Sequence, residues 1–217
     1  MEERKVKNVL LPKITAINEE VYSLEKNIDD EDYFNNVMML NCDISNECAS
    51  HVEFSEVIFK NVDFRNVKFP HIEFIDVKFE NCDLSNSNLN NGILHRVEMK
   101  NCKLIGIDLA DTNIQNVTLN QCSGDYSNIS FSTLKNVNFI DSSFNNVIFE
   151  NSKFNKVNFE NVSMRQIDIS KAMVKGIDFR NSDIEGLIGD VRDLYGIVVT
   201  PMQALSLSRI LGIVIKE

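Results

Sequence analysis

The chain has 217 residues and sets 22 Lys and Arg against 32 Asp and Glu, for a formal charge of −10. That balance excludes a surface dominated by a basic nucleic-acid-binding patch, and no apolar run approaches the length of a membrane-crossing helix. Five cysteines, an odd number, fit a reducing cytoplasm better than a disulfide framework.

Residues 1–33 come first. The opening residues lack the long apolar stretch and cleavage site of a secretion signal. Residues 6–17 have strand character broken by Pro12, and 25–32 is strongly acidic. This segment is expected to cap the first coil of a solenoid that begins at Phe34, since an open coil end would expose strand edges and an apolar axis.

From Phe34 a stride of five takes over. The series Phe34, Met39, Ile44, Ala49, Phe54, Phe59, Phe64 continues to Leu119, lapses at Gly124, and resumes from Ile129 to Ile184. Thirty of its 31 positions are apolar, and 13 of the 14 Phe fall on it, Phe131 being the exception. Two residues earlier sits a smaller side chain, as in Val52, Val57, Val62 and Val67. Five residues advance about 500° on an α-helix, which would smear the series around the cylinder. On a straight strand an odd stride alternates faces. The pattern therefore needs a corner in every repeat, with the residues at i−2 and i both pointing inward. Such a chain coils into a tube with a filled apolar axis. At Gly124 the axis is underfilled, and Tyr126 or Phe131 is expected to compensate.

A second spacing, of 20, gives the tube four sides. Cys42, Cys82, Cys102 and Cys122 share it, as do His51 and His71. The corner series Asn41, Asn61, Asn81, Asn101, Gln121, Asp141, Asn161, Asn181 is Asn at six of eight places. Like residues then stack between coils, and stacked amides can bond along the axis. Residues 32–186 make almost eight coils of twenty, a rod of about 37 Å at ~4.8 Å per coil.

After residue 186 the grammar changes. Thr200 suits an N-cap and Pro201 the first helical position. The pattern predicts a helix over 201–211 with Ala204, Leu205, Leu207, Ser208 and Leu211 toward one broad side. Gly212 stands at C′, and Ile213, Val214 and Ile215 are expected as a short strand. This apolar piece either caps the last coil or pairs with a second copy.

Units such as Cys82-Asp83-Leu84-Ser85-Asn86 and Val62-Asp63-Phe64-Arg65-Asn66 resemble the pentapeptide repeat. The resemblance implies an all-β fold, a right-handed quadrilateral parallel β-helix over 34–186 with a short C-terminal α-helix. Residues 1–33 would be an N-terminal cap and 187–217 a dimerisation piece. The closer resemblance is to the Qnr-type quinolone-resistance proteins of Gram-positive bacteria. It rests on Cys122-Ser123-Gly124-Asp125-Tyr126 and on the ending from Val199-Thr200-Pro201 to Ile213-Val214-Ile215. It implies a homodimer through Pro201, Ala204, Leu205, Leu207, Ser208, Leu211 and Ile213. It also implies a cytoplasmic protein that binds DNA gyrase or topoisomerase IV by imitating DNA, and shields the enzyme from quinolones. Some Qnr-type proteins project loops from their coils; here the stride is unbroken.

The remaining chemistry is sparse. No nucleophile motif, P-loop, HExxH or dinucleotide fingerprint is present, so no enzyme, cofactor or metal is expected. His51 and His71 stack as a conceivable metal pair without a third ligand. Glu53, Glu56, Glu73 and Asp76 stack as like charges expected to be screened by solvent. The cysteines at i−2 read as small buried hydrophobes.

Function then lies on the outer sides. The side of Ile44, Phe64 and Leu84 carries six acids, Asp43, Asp63, Asp83, Asp125, Asp183 and Glu185, against three basic residues. The side of Ala49, Phe69 and Leu109 carries Glu47, Asp108, Asp111, Glu150, Asp168 and Asp190 against two. The side of Phe34 is acidic early and basic late, and that of Met39 is near balance. Partner contacts are expected near Asp108, Asp111, Asp125, Glu150 and Asp168. A dimeric rod of about 75 Å would carry −20, where B-DNA of that length carries about 44 charges. The rod can imitate a duplex on one side but not in total charge. The rival expectation is an interaction scaffold for another basic protein, unrelated to drug resistance.

Overall fold

A left-handed corner at every fifth residue builds the molecule. In the computed structural model, which describes residues 9–15, 17–21 and 27–216, the stride from Glu31 to Lys171 has positive φ at every step. Twenty-eight of these residues are not glycine and lie between 48° and 64°; Gly106 is at 67°. Half of the 28 are Asn, the side chain that enters this region most readily after glycine. The excess of Asn in the sequence is therefore first a backbone requirement.

Between corners the chain is extended. Short strands open the coil: β1 (Glu19–Val21), β2 (Tyr33–Asn35), β3 (Val37–Leu40), β4 (Glu53–Ser55) and β5 (Ile58–Lys60). Five strands of eight residues come next: β6 (Glu73–Glu80), β7 (Ile93–Lys100), β8 (Asn113–Asn120), β9 (Thr133–Ile140) and β10 (Lys153–Glu160). Every pairing is parallel, and from β2 onward the register is twenty, as in Phe54↔Phe74, Phe74↔Leu94 and Leu94↔Ile114. Each long strand runs through a corner and covers the Phe34 and Met39 sides. The other two sides are joined by isolated bridges such as Asp63↔Asp83 and Asn88↔Asp108.

Side chains at i−1 contribute to that difference. On the bridged sides Asp43, Asp63, Asp83 and Asp108 accept the N–H two residues on, at 2.9, 2.9, 3.0 and 3.1 Å. This local bond competes with the ladder and favours a turn. The Met39 side obeys the same rule: Asp178 accepts the Arg180 N–H at 3.1 Å, and there the long strand is replaced by a bridge, Asp178↔Val198.

The axis holds the stride-of-five residues. Phe54, Phe59, Phe64, Phe69, Phe74 and Phe79 are wholly buried, and rings stack between coils at 5.6 Å for Phe54–Phe74 and 4.8 Å for Phe59–Phe79. Residues at i−2 are buried beside them. Several Ser and Cys at this position donate to a carbonyl 23 residues back, as Ser87 does to Phe64 (2.8 Å), Ser152 to Ile129 (2.6 Å) and Cys82 to Phe59 (3.5 Å). Cys42, Cys82, Cys102 and Cys122 are buried, and Cys48 is exposed. The neighbouring Cys102 sulfur and burial together hold the Cys82 and Cys122 thiols far above their ordinary pKa, so both stay protonated.

Gly124 departs from expectation. Tyr126 and Phe131 do not fill its place; they are 67 % and 57 % exposed. The Phe144 ring, one coil on, occupies it instead: a Cβ on Gly124 would lie 2.2 Å from Phe144 Cε1. A cavity of about 20 Å³ remains among Leu94, Leu104, Leu119, Phe139 and Phe144.

Both ends differ in detail from what the residue pattern predicts. Residues 1–8 and 16 lie outside the described residues; the described remainder of 6–17 holds no strand. The first strand is β1, which covers β3 through Glu19↔Val37 and Val21↔Met39. Upstream of it, Thr15 donates to Glu56 through N–H (3.0 Å) and hydroxyl (2.7 Å), and the Lys13 N–H donates to Asp76 (2.8 Å). Glu56 and Asp76 are one coil apart, so the segment straps a corner column. At the other end, α1 (Pro201–Leu207) continues as a 3-10 turn (Ser208–Leu211), with Thr200 and Gln203 closing a capping box and Gly212 left-handed at φ 71°. Gln203 Nε2 donates to the carbonyls of Phe179 (2.9 Å) and Ser182 (2.8 Å), which docks the helix on the last coil. Ile213, Val214 and Ile215 form no strand. Val198 already occupies the Asp178 edge, and the helix lies over the carbonyls beyond it.

Candidate interaction surface

The outward positions are i−1, i+1 and the corner i+2, and the register stacks each of them into columns. Acids on these columns fall into two groups. In the first, a cation sits beside the carboxylate: Asp63 with Arg65 (2.5 Å), Asp83 with Lys103 (3.7 Å), Asp183 with Arg165 (2.6 Å), Asp178 with Arg180 (2.7 Å) and Glu80 with Lys60 (3.9 Å). Half of the acidity on the Ile44 side is thereby neutralised, by Arg65, Lys103 and Arg165. The Arg65 guanidinium holds the Asp63 carboxyl below the ordinary carboxylate range, against the opposing effect of burial.

Two of the early acids of the Phe34 side, Glu56 and Asp76, are also engaged, against the expectation of screened repulsion; Glu53 and Glu73 remain a like-charge pair. Asp76 is buried, which opposes its charge. Arg96 at 2.5 Å and the Lys13 N–H outweigh that and keep it ionised below its usual pKa. Glu56 is lowered by its two bonds from Thr15. Glu53 alone is raised, by burial and by Glu73, with which it is in register.

In the second group no cation pairs with the carboxylate among the described residues. Among the expected contacts these are Asp108, Asp111 and Asp168 on the Ala49 side and Asp125 on the adjoining one; Asp43, Asp141 and Asp190 also belong to this group. Asp108 accepts from the Ala110 N–H and from Asn128 Nδ2 (3.0 Å), and Asp168 from the Ser170 N–H (2.8 Å). Asp125 reaches the next coil, accepting from Ser143 Oγ (2.6 Å) and the Asn145 N–H (2.8 Å). Asp108, Asp125 and Asp168 thus each have a turn-holding duty that Asn would also perform, plus a negative charge that the turn does not need. Glu150 is the exception among the expected contacts, lying 3.4 Å from Lys171. A count of charges per side finds these residues but misses the turn bonds, whose signal for Asp108 and Asp168 is a short polar acceptor at i−1.

Two other columns carry stacked polar groups. Asn61 donates to Asn41 (2.9 Å), Asn81 to Asn61 (3.3 Å) and Asn101 to Asn81 (3.3 Å), the expected amide ladder. His51 and His71 stack with ring centroids 4.6 Å apart. Among the described residues no three His, Cys, Asp or Glu side chains converge as a metal set.

The C-terminal end is apolar and open. Leu207 and Ile210 pack on the core, whereas Pro201, Ala204, Leu205, Leu211 and Ile213 are exposed and Ser208 is half-buried. The helix thus splits the residues expected on one side: Leu207, Ala204, Ser208 and Leu211 line a shallow groove that also takes in Val191, Leu194 and Tyr195, with Leu207 packed on the core as well, whereas Pro201, Leu205 and Ile213 are exposed outside it. No helix among the described residues is long and apolar enough to cross a membrane.

A family model described as a pentapeptide repeat region matches residues 72–143, and one described as pentapeptide repeats (8 copies) matches residues 132–170. No curated protein matches the sequence. Among solved structures, HetL, a pentapeptide repeat protein involved in heterocyst differentiation regulation from the cyanobacterium Nostoc sp., is 13 % identical with a TM-score of 0.53, over 78 % of this chain and 87 % of its own. Full-length QnrB1, a plasmid-mediated fluoroquinolone resistance protein, is 20 % identical with a TM-score of 0.33, over 90 % of this chain and 98 % of its own.

Proposed function

Because the chain belongs to the pentapeptide-repeat family, with its outer sides as the surfaces free to make contacts, we propose that it is a cytoplasmic protein-binding rod directed at type II topoisomerases. In this reading two copies pair through the C-terminal groove, lined by Ala204 and Leu211, and through the exposed Leu205 and Ile213. The dimer sets its acidic sides against the DNA-gripping surface of DNA gyrase or topoisomerase IV, and so shields the enzyme from quinolones. The observation that carries the reading is the group of carboxylates without a cation, Asp108, Asp111, Asp125 and Asp168, which gather on two adjoining sides of the rod around one coil. A surface built to hold phosphates attracts such a face at long range. The exposed apolar residues at the end provide the self-complementary patch that a two-fold contact needs.

Supercoiling by purified gyrase under ciprofloxacin, titrated with the protein, tests this directly. Rescue of supercoiling is expected; no rescue at any concentration sinks the topoisomerase reading. The quadruple neutralisation D108N/D111N/D125N/D168N keeps the turn bonds and removes the charge, and is expected to abolish rescue without lowering thermal stability. A second reading, a scaffold for another basic protein, draws on the spacing of the same charges. Four carboxylates spread over three coil steps, about 14 Å, are roughly half as dense as the eight phosphates of that length of duplex. Binding to a basic protein other than a topoisomerase, without rescue of supercoiling, is its signature.

A further inference from the structure

Phe131 is the one exposed Phe of the 14, and it shares a coil with exposed Tyr126. The two stand five residues apart, at the two corners that bound the Ala49 side. Both have positive φ, 64° at Tyr126 and 58° at Phe131, a conformation that disfavours bulky side chains and that half the non-glycine corners give to Asn. Packing does not explain them, since neither ring fills the axis at Gly124. Isoleucines extend the exposed apolar surface one coil to either side, Ile105 before and Ile148 after, at 41 % and 42 % exposed. The uncompensated acids frame the same coil: Asp125 lies within it, Asp108 and Asp111 one coil before, and Asp168 two coils after.

We propose that Tyr126 and Phe131 are the anchors of the rod's protein contact, two aromatic studs astride the Ala49 side that seat on a basic protein surface. Rings at the centre of a contact with charge around them are the usual anatomy of a binding hot spot. The charge here selects the occupant. A partner offering Arg and Lys gains from the carboxylates and can also lay a guanidinium over either ring, whereas an acidic partner or a nucleic acid is repelled. The inference rests on the proposed function for the partner's identity, but locates the contact independently of it.

The test uses the full chain. Y126N/F131N leaves the charge unchanged and gives both corners the residue they favour, so thermal stability is expected to hold or rise. Affinity for purified gyrase is expected to fall at least tenfold, while Tyr33→Asn, an exposed aromatic at the far end of the rod, leaves it unchanged. Equal binding by Y126N/F131N and the natural chain overturns the inference, as does an equal loss from Tyr33→Asn. If the natural chain itself fails to bind gyrase, the topoisomerase reading falls. The anchors are then judged with a deca-arginine peptide, whose affinity should drop at least threefold on the double substitution at unchanged salt dependence. An identical affinity for that peptide overturns them.

Discussion

The coils from Phe54 to Phe79 and the coils from Leu84 to Leu134 have the same backbone and different fillings. In the first, six phenylalanines are wholly buried, and all but Phe69 touch in stacked and edge-on pairs. In the second, the axis is aliphatic, lapses at Gly124 and keeps a cavity of about 20 Å³. Yet register and positive-φ corners run through both, and the eight-residue strands that begin at β6 continue without a break into the second. Apolar bulk at a fixed stride is thus enough to hold the coil, and aromatic rings are one way to supply it. In the second region aromatic carbon appears outside instead, at Tyr126 and Phe131.

The largest effect that separates the regions is expected from the axis itself. Phe64→Ala should cost about 3–5 kcal/mol, through a lost ring and the cavity left behind. Leu104→Ala, in the same column two coils on and beside the existing cavity, should cost less, about 2–3 kcal/mol. Urea denaturation of the two variants checks this, and equal losses would show that the regions are packed alike. The ion pair between them comes next, since Asp76 belongs to the coil of Phe74 and Arg96 to that of Leu94. Arg96→Ala strands a buried carboxylate and should cost about 3 kcal/mol. Because the folded pKa of Asp76 is depressed, its contribution is present at neutral pH and is lost as pH falls below about 4. The natural chain should therefore lose more stability on acidification than R96A does; parallel pH profiles would contradict the pair.

Smaller effects probe the gap. Gly124→Ala restores a side chain to the stride, and by the repeat pattern alone it should stabilise. The Phe144 ring makes the opposite outcome the expected one, a loss of about 1–3 kcal/mol by overpacking. A raised melting temperature would mean that the ring moves aside freely. Tyr126→Asn should bring the smallest change, a gain of up to about 1 kcal/mol from relief of the left-handed corner, read as a small rise in melting temperature.

Much of the fold was legible in the residues. Phe54 through Phe79 announced an axis, Cys82, Cys102 and Cys122 announced a register of twenty, and Thr200-Pro201 with Gly212 announced a helix and its stop. These signals are local or periodic, and a solenoid is built from local and periodic contacts. The candidate surface was legible only as a count of charges per side. Which acids are spent depends on whether a cation arrives from the same turn, as Arg65 does for Asp63, or from the next coil, as Arg96 does for Asp76.

The sequence by itself determined the coil, because a fixed stride of bulky side chains leaves the backbone one way to bury them all, and determined that Asn would gather at corners which demand positive φ. The tertiary structure decided what fills the place of Gly124, where the chain beyond residue 199 docks, and which carboxylates remain without a cation. Each of those depends on which side chains from neighbouring coils reach the same point in space, and the stride places columns without fixing how far each side chain extends along them.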